Sequence, residues 1–192
     1  MTKQARGNGT DDFETDVVSR EIIRGKLLAV ADEMGLVLMR SSMSPVIYEV
    51  LDFACGFCDP DGDLVSQTNG ITVFTGTFSI QINVIKQKFG DRIRPGDIFM
   101  LNNPYEGGTH YNDVGVIKPI FVNDELFAFA ISISHWADIG GKSPGSLPAD
   151  ATEIFQEGIC FPGIHIYKAG ERQDAVFEIV ANNVRLPKMA LG

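Results

Sequence analysis

The spacing of the apolar residues changes at Pro45, and this change most constrains the fold of the chain. Before Pro45, apolar residues recur at steps of 4, 3, 4 and 3, which predicts a helix over about 17–40 with one apolar face: Ile23, Leu27, Val30, Met34 and Val37. After Pro45, short extended runs alternate with turn sequences, and helical spacing returns only at 78–89 and 174–184. This irregular mixture is typical of an α+β (mixed α/β) fold, with a mixed or largely antiparallel sheet and flanking helices.

Two of the predicted strands form a hairpin whose turn determines which residues face each other. The strands cover about 114–122 and 126–136, with Asn123-Asp-Glu125 between them. A three-residue loop places Asp113 directly opposite His135, whereas a two-residue turn shifts the pairing by one residue and places Asn112 there. The other expected strands are 52–58, 64–67, 98–101 and 164–167.

Composition and charge exclude several classes of protein. The chain has 192 residues with 16 Lys and Arg against 25 Asp and Glu, a formal charge of −9, so it is a poor match for nucleic acid or an anionic membrane. Its longest apolar run, 126–133, is too short to span a bilayer. Residues 1–15 lack the apolar core of a signal peptide and are expected to form a flexible arm. Three cysteines, an odd number, favour a reducing cytoplasm.

The three histidines are the first candidates for chemistry. If Asp113 faces His135, the two side chains lie about 5 Å apart at Cβ, and His110 can fold over the same position from the preceding Gly-rich loop. Two imidazoles with carboxylates suit Mn, Fe(II) or Zn. A further acid is needed, for which Asp52, Asp59 and Asp138 are available. The alternative is a polar hairpin end with a solvated histidine; His165, in an alternating strand, is expected to be an ordinary strand residue.

The other motifs in the sequence are incomplete or have a structural explanation. Gly141-Lys142-Ser143 resembles the end of a phosphate-binding loop but lacks the earlier glycine, so we expect no ATP site of this type. Cys55 and Cys58 match C-x-x-C, yet in a strand they point to opposite faces and are expected to be structural thiols. Glu153 and Glu157 are either exposed helix charges or part of a loop that approaches a substrate.

Six stretches of the sequence together resemble the hydantoinase B/oxoprolinase family, from about residue 16 to the last residue. The family includes subunits or domains of ATP-dependent 5-oxoprolinases, N-methylhydantoinases and caprolactamases, and subunits of acetone and acetophenone carboxylases. Family members are several times longer, so the resemblance implies that 16–192 is the N-terminal portion of a larger subunit. The stretches are Leu51-Asp-Phe-Ala-Cys-Gly56, Arg94-Pro-Gly-Asp97, Leu101-Asn-Asn-Pro-Tyr-Glu-Gly-Gly-Thr-His110, Ser134-His-Trp-Ala-Asp-Ile-Gly-Gly141, Pro144-Gly-Ser146 and Asp150-Ala-Thr-Glu-Ile-Phe-Gln-Glu-Gly158.

The resemblance also implies a site and a partner. Its metal ligands correspond to Asp52, His110, Asp113 and His135 in this sequence, and a hydantoinase A-like subunit would bind ATP and phosphorylate the substrate. The expected function is therefore the metal-binding catalytic subunit of an ATP-dependent cyclic-amide hydrolase. The alternatives are a subunit of an ATP-dependent ketone carboxylase, and a truncated, non-catalytic assembly domain. Within the site, Asp138 is expected to orient His135, and Glu153 to contact the substrate.

Overall fold

A seven-stranded antiparallel sheet organises the chain. The computed structural model describes residues 16–68 and 70–192, so the predicted flexible arm at 1–15 lies outside the described residues. The strands are β1 (Phe53–Cys58), β2 (Leu64–Gln67), β3 (Ile98–Leu101), β4 (Asp113–Val122), β5 (Glu125–His135), β6 (Ile164–Lys168) and β7 (Glu171–Arg172). The helices are α1 (Val17–Ser41), α2 (Pro45–Tyr48), α3 (Thr72–Thr75), α4 (Phe78–Phe89), α5 (Asp174–Asn183) and α6 (Pro187–Leu191).

The strands are arranged in the order β2-β1-β5-β4-β3-β6-β7, and every neighbouring pair is antiparallel. The long β4–β5 hairpin therefore lies at the centre, with β1 on one side and β3 on the other. This arrangement confirms the α+β class with a largely antiparallel sheet. Within the described part of the chain, no helix is both long and apolar enough to cross a membrane.

The hairpin combines the shorter of the two turns that the sequence allows with the pairing expected from the longer one. The turn has two residues, Asn123 and Asp124, whose φ angles of 51° and 65° both suit a two-residue hairpin turn, and Val122 pairs with Glu125. The pairing then shifts between Ile120–Ala128 and Phe121–Leu126, which leaves Phe127 as an extra residue in β5. Because this bulge adds one residue to β5, Asp113 still pairs with His135.

Helix α4 covers one face of the sheet and forms the largest core cluster. Its apolar residues Phe78, Ile82 and Ile85 recur at steps of 4 and 3 and are fully buried, as the sequence pattern predicts. They belong to the same cluster as residues from the four central strands: Ala54, Cys58, Phe99, Leu101, Ile117, Phe129, Ile131 and Ile133. Gln81, also buried on this helix, is the polar exception.

Helices α1 and α5 lie on the opposite face, at different ends of the sheet. Cys55 packs near α1 and Met100 near α5, and these two residues alternate along their strands with the residues that face α4. The predicted bounds of α1 are confirmed to within a residue, but the predicted apolar face is not the buried one, because the buried residues of the helix are Ala31 and Gly35. Leu27 and Met34 are half-buried, while Val37 is 59% exposed.

The short elements are those that periodicity does not predict. Helices α2, α3 and α6 contain 4, 4 and 5 residues, and β7 contains 2, so none is long enough for an apolar pattern to repeat. Prolines begin two of these helices at their first position, where the missing N–H has no partner to lose. The segment between β5 and β6 is irregular, apart from a short 3-10 turn at Ile154–Gln156.

Candidate metal centre

Three strands and one loop bring four chemically active side chains to one end of the sheet. Asp113 begins β4 and pairs with His135 at the end of β5. On the other side of β5, the backbone N–H of His135 donates to the carbonyl of Asp52, just before β1, at 3.0 Å. His110 comes from the loop between β3 and β4. These are the four residues that the resemblance implied as ligands, and the structure places three of them in direct contact.

The carboxylate of Asp113 is the centre of the arrangement. Its Oδ1 atom lies 2.7 Å from His135 Nδ1, and its Oδ2 atom lies 2.8 Å from His110 Nδ1. Oδ2 also accepts the backbone N–H of His110 at 3.1 Å and the hydroxyl of Thr109. Asp113 itself is only 1% exposed, whereas the His110 side chain is 62% exposed. The site is therefore anchored in the sheet and open to solvent on the side of His110.

These contacts set the charges of the site. Burial acts to raise the pKa of Asp113, but hydrogen bonds from His135, Thr109 and His110 outweigh it and hold the pKa below its usual value. The hydrogen bond to Asp113 raises the pKa of His135 despite its burial. Asp113 is therefore a buried anion, and both imidazoles are drawn toward it.

Asp52 lies beside this group without joining its hydrogen bonds. Its carboxylate makes no hydrogen bond to any described residue, and the pKa of Asp52 is raised, mainly by burial. The negative charge of Asp113 raises this pKa further, while His135 and His110 act in the opposite direction. Asp52 therefore lies within electrostatic range of all three residues and offers a free carboxylate at the edge of the site.

The donor set fits a divalent transition metal. His110, Asp113 and His135 each offer one ligand atom, and these atoms lie within 4.8 Å of one another. Imidazole nitrogens with a carboxylate oxygen are typical ligands of Mn, Fe and Zn. The buried Asp113 carboxylate also supplies the negative charge that a cation requires. The residues present therefore fit the metal that the resemblance implies.

Two buried asparagines hold the loop that carries His110, and neither was predicted from the sequence. Asn102, at the start of the loop, donates to the carbonyls of Tyr111 at 2.5 Å and Ile159 at 2.9 Å. Asn112, at its end, donates to the carbonyl of Trp136 at 2.8 Å. Both asparagines are at most 1% exposed. The sequence signal was available, because an asparagine lies at each end of a Gly-rich segment that must otherwise satisfy its own backbone.

Asp138 does not orient His135, contrary to the sequence-based expectation. Its carboxylate accepts hydrogen bonds from the guanidinium of Arg185 at 3.0 Å, from Ser146 Oγ at 3.1 Å and from backbone N–H groups, including that of Arg185. Burial acts to raise the pKa of Asp138, but the hydrogen bonds from Arg185 and the other donors hold it below its usual value. The Nδ1 atom of His135 is instead bound by Asp113. Asp138 therefore does not act as the orienting group, because the Nδ1 atom of His135 pairs with Asp113 and the carboxylate of Asp138 pairs with Arg185.

The remaining candidates lie outside the group of three. Glu153 is exposed and precedes the short 3-10 turn, so its contact with a substrate stays a prediction. His165 packs between the rings of Phe89 and Phe99, with centroids 4.6 and 4.5 Å away, which agrees with its expected place in a strand. Cys55 and Cys58 are buried in different clusters, and burial raises the pKa of each thiol to about 12.

The fold and the site together describe an antiparallel α+β domain that carries a His–Asp–His group at one end of its central strands. The chain belongs to the hydantoinase B/oxoprolinase family, whose family model matches residues 16–192. A curated relative from Pseudomonas sp. (strain NS671), a putative D-/L-hydantoinase subunit, is 35% identical over 188 residues. The match covers 95% of this chain but 32% of the relative, so this chain spans about a third of its length.

Two solved structures share the fold. The ATP-dependent caprolactamase from Pseudomonas jessenii superposes with a TM-score of 0.81 at 25% identity, covering 90% of this chain and 30% of that chain. Nucleotide-free acetone carboxylase, from a study of ATP-dependent acetone carboxylation, superposes with a TM-score of 0.83 at 20% identity, covering 89% of this chain and 23% of that chain. At this identity, the second likeness shows the fold alone.

Proposed function

We propose that this chain provides the metal-binding site of an ATP-dependent cyclic-amide hydrolase of the hydantoinase or 5-oxoprolinase type. The observation that carries the proposal is the convergence of His110, Asp113 and His135, whose ligand atoms lie within 4.8 Å of one another. Asp52 is proposed as the fourth ligand, because its carboxylate is free and lies within electrostatic range of the other three. The three unpaired cysteines favour action in the cytoplasm.

The residues of the chain have distinct roles in this proposal. Asp113 fixes both imidazoles and keeps a negative charge in the site, while the exposed His110 faces the side from which a substrate can enter. A divalent ion held here would lower the pKa of a bound water and polarise the oxygen of the substrate. Glu153 is proposed to contact the substrate from the loop that precedes β6.

ATP is proposed to act through a partner. The sequence lacks a phosphate-binding loop of the type that Gly141-Lys142-Ser143 resembles. The Pseudomonas hydantoinase relative is named as one subunit of its enzyme, and the caprolactamase with the same fold is ATP-dependent. A hydantoinase A-like subunit would phosphorylate the cyclic amide, making its carbonyl carbon easier for water to attack.

Hydrolysis is favoured over carboxylation by the comparisons. The hydantoinase and caprolactamase relatives, at 35% and 25% identity, are named for cyclic amides, whereas the acetone carboxylase shares 20% identity and supports the fold alone. Ketone carboxylation stays the second candidate because the same donor set could hold a carboxylate product. A non-catalytic assembly domain is the third candidate, and a folded chain that binds no metal would favour it.

The test combines metal analysis with reconstitution. The purified chain, after dialysis against Zn²⁺ or Mn²⁺, should hold a stoichiometric ion that His110→Ala loses. The variant Tyr105→Ala is a control, since Tyr105 lies in the same loop and is 83% exposed. In the complete complex with a hydantoinase A-like subunit, ATP hydrolysis should depend on a cyclic amide and not on bicarbonate.

Each result decides between the candidates. A folded chain without bound metal supports the assembly domain and contradicts the proposal. ATP hydrolysis that requires a ketone and bicarbonate supports the carboxylase instead. A stoichiometric ion that survives His110→Ala removes His110 from the proposed ligands.

A further inference from the structure

A carboxamide lies in the apolar layer between α4 and the sheet. Gln81 is 1% exposed, and the other buried residues of α4 are Phe78, Ile82 and Ile85. Its Nε2 donates to the carbonyl of Gly107 at 3.1 Å and lies 3.4 Å from Thr77 Oγ1. Gly107 belongs to the loop that carries His110, so Gln81 connects the core helix to that loop.

The burial of Gln81 has a cost that an apolar residue would avoid. Its Oε1 atom is buried without a hydrogen-bond partner. An unpaired buried acceptor loses its hydration with nothing in return, so an apolar side chain of the same volume would be at least as stable here. The carboxamide is therefore not explained by the stability of the core.

The surrounding backbone is shaped to admit this side chain. A Cβ atom on Gly115 of β4 would lie 2.1 Å from Gln81 Oε1, so the absence of a side chain there makes room for the carboxamide. Gly115 follows Asp113 by two residues and therefore shares its face of the sheet. On the loop side, a Cβ on Gly107 would lie 2.7 Å from Ile80 Cγ2, so the loop rests directly on α4. Gln81 thus lies against Gly115, two residues along β4 from Asp113 and on the same face of the sheet as the candidate metal centre.

We propose that Gln81 is a positioning residue: through the carbonyl of Gly107, it fixes the loop 102–112 so that His110 meets Asp113 and His135. The statement that this geometry serves metal binding rests on the proposed function. The positioning itself does not, because it rests on the hydrogen bond from Gln81 to the carbonyl of Gly107, which involves none of the proposed ligands. Gln81 touches no proposed ligand and acts only through the loop.

The experiment compares two glutamines of the same helix. Gln81→Met keeps the volume of the side chain and removes its hydrogen-bonding groups, and Gln87→Met makes the same change at an exposed position. In the metal-free chain, hydrogen exchange at the loop amides of Gly108 and His110 should become about tenfold faster in Gln81→Met, with no loss of thermal stability. The Zn²⁺ dissociation constant from calorimetry should rise about tenfold or more, and Gln87→Met should change neither value.

The two measurements separate the possible failures. Unchanged exchange of the loop amides in Gln81→Met overturns the positioning role, whatever the metal does. Faster exchange with no Zn²⁺ bound by the unmodified chain confirms the positioning and overturns the proposed function. If Gln81→Met does not fold, Gly107→Ala displaces the loop from the other side. That variant should give the same loss of Zn²⁺ affinity, and an unchanged affinity would contradict the proposal.

Discussion

Asp113 and Asp138 are almost alike in burial and charge, and yet one belongs to the candidate metal centre and the other to a structural ion pair. They are 1% and 3% exposed, each accepts several hydrogen bonds, and the pKa of each is held below its usual value by those bonds against the effect of burial. The difference lies in their partners. Asp113 is bound by two imidazoles, whereas Asp138 is bound by the guanidinium of Arg185 and by backbone groups.

The chemistry of the partner therefore distinguishes a candidate site from a structural anchor. An imidazole can lose its proton and bind a cation, and His110 is open to solvent. A guanidinium keeps its charge at any ordinary pH and does not bind cations. Arg185 also donates to the carbonyls of Gly140 and Gly141, so the Asp138 group fastens the segment after β5 to the segment after α5.

The largest effect is expected at Asp138. Asp138→Asn removes the buried carboxylate that accepts hydrogen bonds from the guanidinium of Arg185, from Ser146 and from backbone N–H groups, so the free energy of unfolding should fall by about 3 kcal/mol. Urea denaturation measures this loss. Zn²⁺ binding should persist wherever the variant is folded. The matched control is Asp150→Asn, whose side chain is 84% exposed and pairs with Lys142, and which should leave the urea midpoint essentially unchanged.

The pH dependence of the same variant gives a second, smaller effect. The pKa of Asp138 is lower in the folded chain than its ordinary value of 3.8, so its contribution to stability is present above that pH and is lost as the pH falls through the folded value. The difference in unfolding free energy between the unmodified chain and Asp138→Asn should be constant above about pH 5 and shrink below about pH 4. A difference that stays constant down to about pH 2 would contradict the role of the Asp138 carboxylate.

Asp113→Asn should cost less stability than Asp138→Asn and should abolish metal binding. Its imidazole partners can become neutral when the carboxylate is removed, so no permanent charge is left behind. The loss of charge-assisted hydrogen bonds should lower the unfolding free energy of the metal-free chain by about 2 kcal/mol. Urea denaturation and Zn²⁺ calorimetry on both variants give the comparison. A larger loss of unfolding free energy in Asp113→Asn than in Asp138→Asn would contradict the expected order of the two variants.

The smallest effect on stability is expected at His110. Because its side chain is 62% exposed, His110→Ala should change the unfolding free energy of the metal-free chain by less than about 1 kcal/mol. Zn²⁺ affinity should nevertheless fall strongly, because one proposed ligand is lost. Thermal unfolding with and without Zn²⁺ measures both effects. If the ion stabilises His110→Ala as much as the unmodified chain, His110 is not a ligand.

The sequence predicted what depends on periodicity. The helices α1 and α4 follow from apolar spacing and are confirmed. The pairing of Asp113 with His135 was one of two alternatives set by the length of the turn, and it is observed with the shorter turn only because of a bulge that the sequence did not predict. It could not predict the partner of Asp138, because Arg185 lies 47 residues away and reaches Asp138 only through the path of the folded chain. The buried Gln81 was also missed, since a single polar residue within an apolar helical pattern does not identify its own partner.

The bulge at Phe127 has a consequence for changes in chain length. Deleting Phe127 would remove the surplus residue together with the irregularity, so the two-residue turn and the Asp113–His135 pair could coexist in a regular ladder. Straightening the bulge without a deletion would instead bring Ser134 opposite Asp113 and send the imidazole of His135 to the far side of the sheet. The number of residues at the hairpin tip can therefore change by one while Asp113 and His135 stay paired at the other end of the strands, provided that the bulge changes with it.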